Sequence, residues 1–362
     1  MQVISSKDNE TIKNIKKLKE KKYRDEAGCY IIEGIKLVKE AIEENAEIKY
    51  VVICEDCEDN VKLEQNLLYD IAKNDCLYVT KKIFQSISDV TTPQGVLAVV
   101  EKKNANKQIN YNEDIIIVLD GIQDPGNLGT ILRTVDSADL KQIILSKNSA
   151  DPYNPKVVRS TMGAIFRVNI IETEDIVSTL KETKKHNFEV VVTSLETEES
   201  IYNIEYKNKA IVIGNEANGV SKEVQEIADR KVKIPMLGKT ESLNASVATG
   251  IMIYEYVRNK WKKLTWYKRN AKIIISAYAD IIYKKGVVKD GLRKNTWYLA
   301  ETKSKGVLHF GLMCSNWVRC PKWGFLRARN RGAIHRWKNW AVHERTYNSK
   351  PHERMGLHFW NS

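Results

Sequence analysis

Five apolar runs constrain this chain most: IIIVLD from Ile115, QIILS from Gln142, VNII from Val168, EVVVTSL from Glu189 and KAIVIGN from Lys209. Each is rich in Val and Ile and lacks polar alternation, which is the pattern of strands buried on both faces. Amphipathic stretches of helical period separate them: about Asn127 to Ser137, NPKVVRSTMGAIF from Asn154, DIVSTLKETKKH from Asp175 and KEVQEIADR from Lys222. KVKIPM and a long helix to about Trp261 follow. Strand and helix alternating in this way predict an α/β fold whose mostly parallel sheet is covered on both faces.

Upstream, residues 1–103 read as a smaller α/β domain with a basic helix, strand CYIIEG, amphipathic helix IKLVKEAIEENA, strand KYVVICED and a last strand QGVLAVVEKK. Residues 104–110 are polar and aperiodic, as in a linker, and residues 111–264 hold the larger domain. After Leu264 the character changes. Seven of the eight Trp and five of the six His fall in residues 265–362, with few periodic segments. This basic, Trp-rich segment reads as a poorly ordered or non-native extension. The opposing reading is an arm in which Arg contacts phosphate and Trp stacks on bases.

A chain of 362 residues, 43% hydrophobic and 29% charged, can build two or three cores and needs no disulfide framework. Six irregularly spaced cysteines and a start, MQVISSKDNE, without an apolar targeting segment point to the reducing cytoplasm. No apolar run has membrane-spanning length. The net charge of +12 is unevenly placed: residues 265–362 hold 20 of 58 Lys+Arg and 5 of 46 Asp+Glu, so they carry +15 and the rest −3. Charge alone therefore says little about nucleic acid, and local clusters matter more. The densest lies on a predicted helix from Lys13 to Glu26, where Lys16, Lys17, Lys19, Lys21, Lys22 and Arg24 are candidates for RNA contact or a solvated helix face.

Three loops carry the chemistry. In DGIQDPGNLGTILRT, Gly126 and Gly129 allow a tight strand-to-helix turn and Asn127 is a candidate cap, with Thr130 and Arg133 following at spacings of three on roughly one face. Arg133 can grip a phosphate bidentately, or pair with an acid such as Asp136. In IVIGNEANGVS, Gly214 and Gly219 bracket Asn215, Glu216 and Asn218 after a buried strand, suiting a nucleoside site or a plain turn. In IPMLGKTESLNASVATG, Ser242 and Asn244 stand at the first turn of the helix whose stripe is Leu243, Val247, Ile251 and Tyr254. Neither GxGxxG nor GxxxxGK[ST] occurs, which disfavours a nicotinamide oxidoreductase or a P-loop enzyme. Cys54 and Cys57 form a CxxC without a second pair, and His309, Cys314 and Cys320 make no tetrahedral set, so no metal is expected.

Together the segments DPGNLGTILRT, IGNEANGVS and IPMLGKTESLNAS resemble the motifs of the SpoU (TrmH) branch of SPOUT RNA 2′-O-ribose methyltransferases, over residues 111–262. TPQGVLAVV and IIEGIKLVKEAI resemble the L30e-like substrate-binding domain that precedes the catalytic domain in many such enzymes. The resemblance implies a trefoil-knot catalytic domain, a homodimer and S-adenosylmethionine held by Thr193, Ser194, Leu195, Gly214, Glu216, Ile234, Met236, Ser242, Leu243 and Asn244. It places Arg133 at the step in which the 2′-OH attacks, with Asn127, Glu216, Ser242 and Asn244 holding the ribose, the Arg and the knot. Ribosomal RNA is the favoured substrate because of the L30e-like domain. The alternatives are transfer RNA and a non-catalytic RNA-binding scaffold.

Overall fold

The computed structural model describes residues 3–57, 71, 74–102, 108–240 and 242–262, together with four strands between residues 298 and 327. By packing they divide into two units, Met1–Trp261 and Lys262–Ser362. In the second unit, Tyr298–Ser304, Val307–Cys314, Trp317–Cys320 and Gly324–Arg327 pair in sequence as an antiparallel meander, which the sequence pattern does not predict.

The first unit holds two sheets. Its N-terminal sheet contains β1 (Val3–Ile4), β2 (Cys29–Glu33), β3 (Ile48–Cys54), β4 (Cys76–Val79) and β5 (Val96–Glu101) in the order β1-β4-β3-β5-β2. Around it lie α1 (Glu10–Lys17), α2 (Lys21–Ala27), α3 (Ile35–Glu43) and α4 (Lys81–Ile87). The predicted single basic helix is thus two. The Arg24 guanidinium explains the break: it turns inward and donates to the Leu18 and Lys19 carbonyls at 2.9 and 2.7 Å, satisfying groups that a continuing helix would have used.

The larger sheet is wholly parallel, in the order β11-β9-β10-β6-β7-β8. Its strands are β6 (Ile115–Asp120), β7 (Gln142–Ser146), β8 (Asn169–Thr173), β9 (Glu189–Thr193), β10 (Lys209–Gly214) and β11 (Arg230–Val232). Helices α5 (Pro125–Ser137), α6 (Pro155–Ser160), α7 (Ile176–Lys185), α8 (Lys222–Ile227) and α9 (residues 245–262) cover it. Ile117, Leu119 and Ile211 pack on one face and Ile116, Val118 and Val212 on the other, so both sides of the Val/Ile runs are buried, as their composition requires. The helix predicted over NPKVVRSTMGAIF stops at Ser160, because Met162 and Gly163 take φ of 50° and 89° before a short 3-10 turn at Ala164–Phe166. No helix among the described residues is long and apolar enough to cross a membrane.

One core cluster runs from Tyr30, Ile32 and Val51 of the smaller sheet and Val38 of α3 to Ile117 of the larger sheet, Val157 of α6 and Phe166 of the 3-10 turn. Ion pairs join the same seam, Arg24 with Asp151 and Arg167 with Glu40. The N-terminal α/β segment thus packs directly against the parallel sheet within the first unit.

Candidate active site

Parallel pairing puts the C-terminal ends of β6, β9, β10 and β11 at one edge, with Gly214 opposite Asp120 and Val232 opposite Thr193. From the adjacent strands β6 and β10 the chain runs on in opposite directions, to β7 on one side and to β11 on the other, so the crevice between β10 and β6 is where open α/β sheets bind ligands. All three candidate loops leave this edge.

The first loop is fixed at both ends. Gly121, at φ 74°, donates its N–H to Ser146 Oγ at 2.8 Å, and its carbonyl accepts from Asn215 Nδ2 at 2.8 Å. Asp124, not Asn127, caps α5: its Oδ1 accepts from the Asn127 N–H at 2.8 Å, with Pro125 at the first helical position. Pro after Asp was the sequence signal for this cap. With its backbone N–H so satisfied, the Asn127 side chain is available elsewhere.

In the second loop, Asn215 and Gly219 close on one another as an isolated bridge, and Asn215 Oδ1 accepts from the N–H groups of Ala217 and Asn218. A Cβ on Gly214 would stand 2.1 Å from the Gly219 carbonyl carbon and the Val220 nitrogen, so the loop folds back over this position only because it is glycine. Asp120 Oδ2 accepts from the Ser221 N–H at 2.8 Å and holds the far end.

The third segment is gripped from two sides. Ser194 N–H donates to the Val232 carbonyl at 2.9 Å, Lys233 N–H to the Glu199 carbonyl at 2.8 Å and Ile201 N–H to the Lys233 carbonyl at 3.1 Å. The loop after β9 thus closes around residues 232–233. Farther on, Asn244 Oδ1 accepts from Ser246 N–H at 2.9 Å and Val247 N–H at 3.3 Å, capping α9.

Asn127 is where the loops meet. Its amide nitrogen donates to the Glu216 carboxylate, and its Oδ1 accepts from Asn244 Nδ2 at 3.0 Å. Three of the five predicted catalytic residues thus form one hydrogen-bonded chain across all three segments. Ser242 is exposed just before the cap. Arg133 is exposed on α5, and among the described residues it has no hydrogen bond or ion pair. Six residues of helix set it about 120° round the axis from Asn127, so the two occupy different faces. Asp136, the acid that could have paired with Arg133, is bound by Arg167 instead.

The predicted cofactor residues line the same edge. Thr193 donates its hydroxyl to the Val212 carbonyl at 3.2 Å, and Ser194 Oγ accepts from the Glu196 N–H at 3.1 Å. Leu195 is 63% exposed, and Ile234, Met236 and Leu243 are half-buried. Apolar side chains left partly open in the loops after β9 and β11 suit the adenosine and methionine portions of S-adenosylmethionine, which need apolar ledges next to backbone donors and acceptors.

The basic cluster divides. Lys17, Lys21 and Lys22 are exposed and Lys16 is half-buried, with loose pairs from Lys21 to Asp25 at 3.5 Å and Lys22 to Glu26 at 4.0 Å. Lys19 is held by Asp89 at 2.8 Å and the Ser88 carbonyl at 2.9 Å. Arg24, placed on the RNA face by sequence, is only 2% exposed and bonded to Asp151, so it is a core residue. Of the candidate metal residues, Cys54 is buried in β3, and the described residues contain no group of three or more metal-binding side chains. Cys314 and Cys320 end strands of the second unit, while His309 lies within one.

The chain is similar to proteins of one family over most of residues 1–262. Residues 114–254 match the SpoU rRNA methylase family and residues 9–98 the MRM3-like substrate binding domain. The chain is 31% identical over 258 residues to the 23S rRNA (guanosine(2553)-2′-O)-methyltransferase RlmP of Bacillus subtilis (strain 168), covering 70% of this chain and 98% of that protein. It is 35% identical over 177 residues to the 23S rRNA (guanosine-2′-O-)-methyltransferase RlmB of Bordetella pertussis, covering 47% and 72%. The AdoMet-bound rRNA methyltransferase from Sinorhizobium meliloti superposes with a TM-score of 0.64 at 31% identity, covering 71% and 97%. With the three loops meeting at Asn127 and this similarity along nearly the whole of RlmP, the chain belongs to the SpoU rRNA methylase family.

Proposed function

We propose that this protein methylates a ribose 2′-OH of ribosomal RNA in the cytoplasm, as a homodimer using S-adenosylmethionine. The observation that carries the reading is the chain Glu216–Asn127–Asn244, which fixes three loops at the sheet edge while Arg133 stays exposed on the adjoining helix, with no polar partner among the described residues. The named relatives act on 23S rRNA, which supports ribosomal RNA over transfer RNA.

When bound, S-adenosylmethionine supplies an electrophilic methyl group on a sulfonium. The half-exposed Leu195, Ile234, Met236 and Leu243 would pack on it, with Thr193, Ser194, Gly214, Glu216, Ser242 and Asn244 providing the polar rim. A ribose 2′-OH is a weak nucleophile and must lose its proton as it attacks in line. Arg133 is a poor base because guanidinium stays protonated, so its part is to grip the adjacent phosphate and orient the hydroxyl, whose proton passes to solvent water. Glu216, tied to Asn127, keeps the second loop in place beneath the reacting groups.

The hydrogen bonds from the loop 194–201 to residues 232–233 support a knotted catalytic domain, in which the chain leading to α9 would pass through that loop. Exposed Val247 and Tyr254, seven residues apart on α9, support a dimer contact. Tyr254 Oη lies 3.3 Å from Ser137 Oγ, so that contact adjoins the helix of Arg133. Residues 1–103 are assigned to RNA binding through Lys16, Lys17, Lys21 and Lys22, residues 104–110 to a linker, residues 111–264 to catalysis and residues 265–362 to a dispensable extension.

The test is methyl-labelled S-adenosylmethionine with unmodified ribosomal RNA, for the protein and for Arg133→Ala. Label on a ribose that the variant does not transfer supports the proposal. Cofactor binding without transfer to ribosomal RNA, followed by transfer to transfer RNA, would redirect the substrate. Absence of cofactor binding would favour a scaffold.

A further inference from the structure

The catalytic helix and the RNA-binding half of the first unit meet at one guanidinium. Arg167 donates from Nε to both Asp136 oxygens at 3.1 and 3.0 Å, and from Nη1 to Glu40 Oε2 at 3.1 Å; Nη1 also lies 3.5 Å from Glu44 Oε1. Asp136 is on α5, three residues beyond Arg133, whereas Glu40 and Glu44 are at the end of α3 beneath the N-terminal sheet. The turn after α6 closes on the same carboxylate: a Cβ on Gly163 would lie 1.5 Å from a Glu40 side-chain oxygen. Gly129, on the stripe of α5 that continues through Arg133 to Asp136, fits against α6, where a Cβ would be 2.4 Å from that of Ser160. Arg133 therefore lies between two contacts that set the position of α5 along its length.

The charges make Arg167 a decisive member of this junction. It faces three carboxylates, so removing it loses a clamp and leaves Asp136, Glu40 and Glu44 to repel one another. A lysine at this position would keep the charge but not the planar fork that reaches two elements at once.

We propose that Arg167 is a positioning residue for the RNA: by tying α5 to α3, it sets the distance and direction from the exposed lysines of α1 and α2 to Arg133. This rests on the reading of the protein as an RNA ribose methyltransferase. RNA held by those lysines then presents its target ribose to Arg133 without a search, whereas the cofactor residues Thr193 and Gly214, at the ends of β9 and β10, lie outside the tie. Its loss is felt in RNA engagement and not in cofactor binding.

The experiment compares Arg167→Gln, Arg167→Lys, Glu40→Gln and the Arg167→Gln/Glu40→Gln double variant of the full chain, using unmodified ribosomal RNA and labelled S-adenosylmethionine. Arg167→Gln should raise the KM for RNA roughly 3- to 30-fold, the range for residues that couple two sites without touching either ligand. Its cofactor Kd should stay unchanged and its kcat at saturating RNA close to that of the parent. Glu40→Gln should move KM the same way by less, Arg167→Lys should restore part of it, and the double variant should be no worse than Arg167→Gln because both remove one tie. If Arg167→Gln fails to fold, Glu40→Gln, which leaves the Asp136 bond intact, decides alone. An unchanged RNA KM in the folded variants, or a loss confined to kcat and cofactor affinity, overturns the proposal. A parent protein that transfers no methyl to any RNA overturns instead the functional reading beneath it.

Discussion

Asn127 and Asn244, 117 residues apart in sequence, are joined side chain to side chain at 3.0 Å, and the first also donates to Glu216. The middle position needs one donor and one acceptor, which an amide provides and a carboxylate does not. Asn127→Asp would set two carboxylates against each other where Asn127 and Glu216 now bond. Single-turnover methyl transfer should fall by about 100-fold, as expected when positioning is lost by an ångström or so. Thermal unfolding should change little, since Asp124, not Asn127, caps α5.

Arg133 is exposed and has no hydrogen bond or ion pair among the described residues, so Arg133→Ala should alter stability by no more than about 0.5 kcal/mol. Transfer should nevertheless drop by about 100-fold or more, with S-adenosylmethionine affinity preserved. Arg133→Lys should not recover it, because an ammonium cannot hold ribose and phosphate with a planar fork. Calorimetric cofactor titration beside the transfer assay separates these effects. An unfolded or cofactor-free variant would contradict this placement of Arg133.

The legible parts of the fold were those governed by local pattern. β6, β7, β9 and β10 appear as continuous Val/Ile runs because both faces are buried, and α5 follows from Pro125 and its apolar stripe. The loops carrying Asn127, Glu216 and Asn244 were legible too, since each sets glycines or a cap beside a strand end. What escaped depends on partners far along the chain. Arg24 reads as one more cation in a basic helix, yet Asp151, 127 residues away, draws it into the core and splits that helix in two. Arg167 looks unremarkable beside Phe166 until Glu40 arrives from α3, 127 residues away. β4, only four residues long, offers too short a pattern to be seen without its neighbours β1 and β3.

Gly214 should tolerate no side chain. An added Cβ would meet the Gly219 carbonyl carbon and the Val220 nitrogen at 2.1 Å, and these are backbone atoms that cannot rotate away. Gly214→Ala should cost about 1–3 kcal/mol of stability, and opening the loop should also weaken S-adenosylmethionine binding. Gly219→Ala is the control for crowding, because nothing lies within 4 Å of its Cβ; there the penalty comes from φ of 68° alone. A Gly214→Ala protein with parental melting temperature and cofactor affinity would show that the fold over this residue is not needed.

Glu189 ties three strands together at the far end of the parallel sheet, opposite the site. Standing on β9, it bonds Lys209 of β10 and Arg230 of β11, the latter at 2.7 Å, and Arg230 continues to Glu199 at 2.6 Å. Burial pushes the Glu189 carboxyl up, but the two cations outweigh it and hold it below its ordinary value of 4.5. A carboxyl lowered in the folded state contributes stability at pH values above its unfolded pKa, and loses that contribution as pH falls through the folded one. Glu189→Gln should therefore cost about 1.5–3 kcal/mol at neutral pH, the loss of hydrogen bonds to charged partners. The difference from the parent should shrink steadily below pH 4.5 as the parent carboxylate is protonated. Urea unfolding at pH 7, 5 and 4 measures it. A gap that stays constant over this range would mean that Glu189 acts through packing and not through its charge.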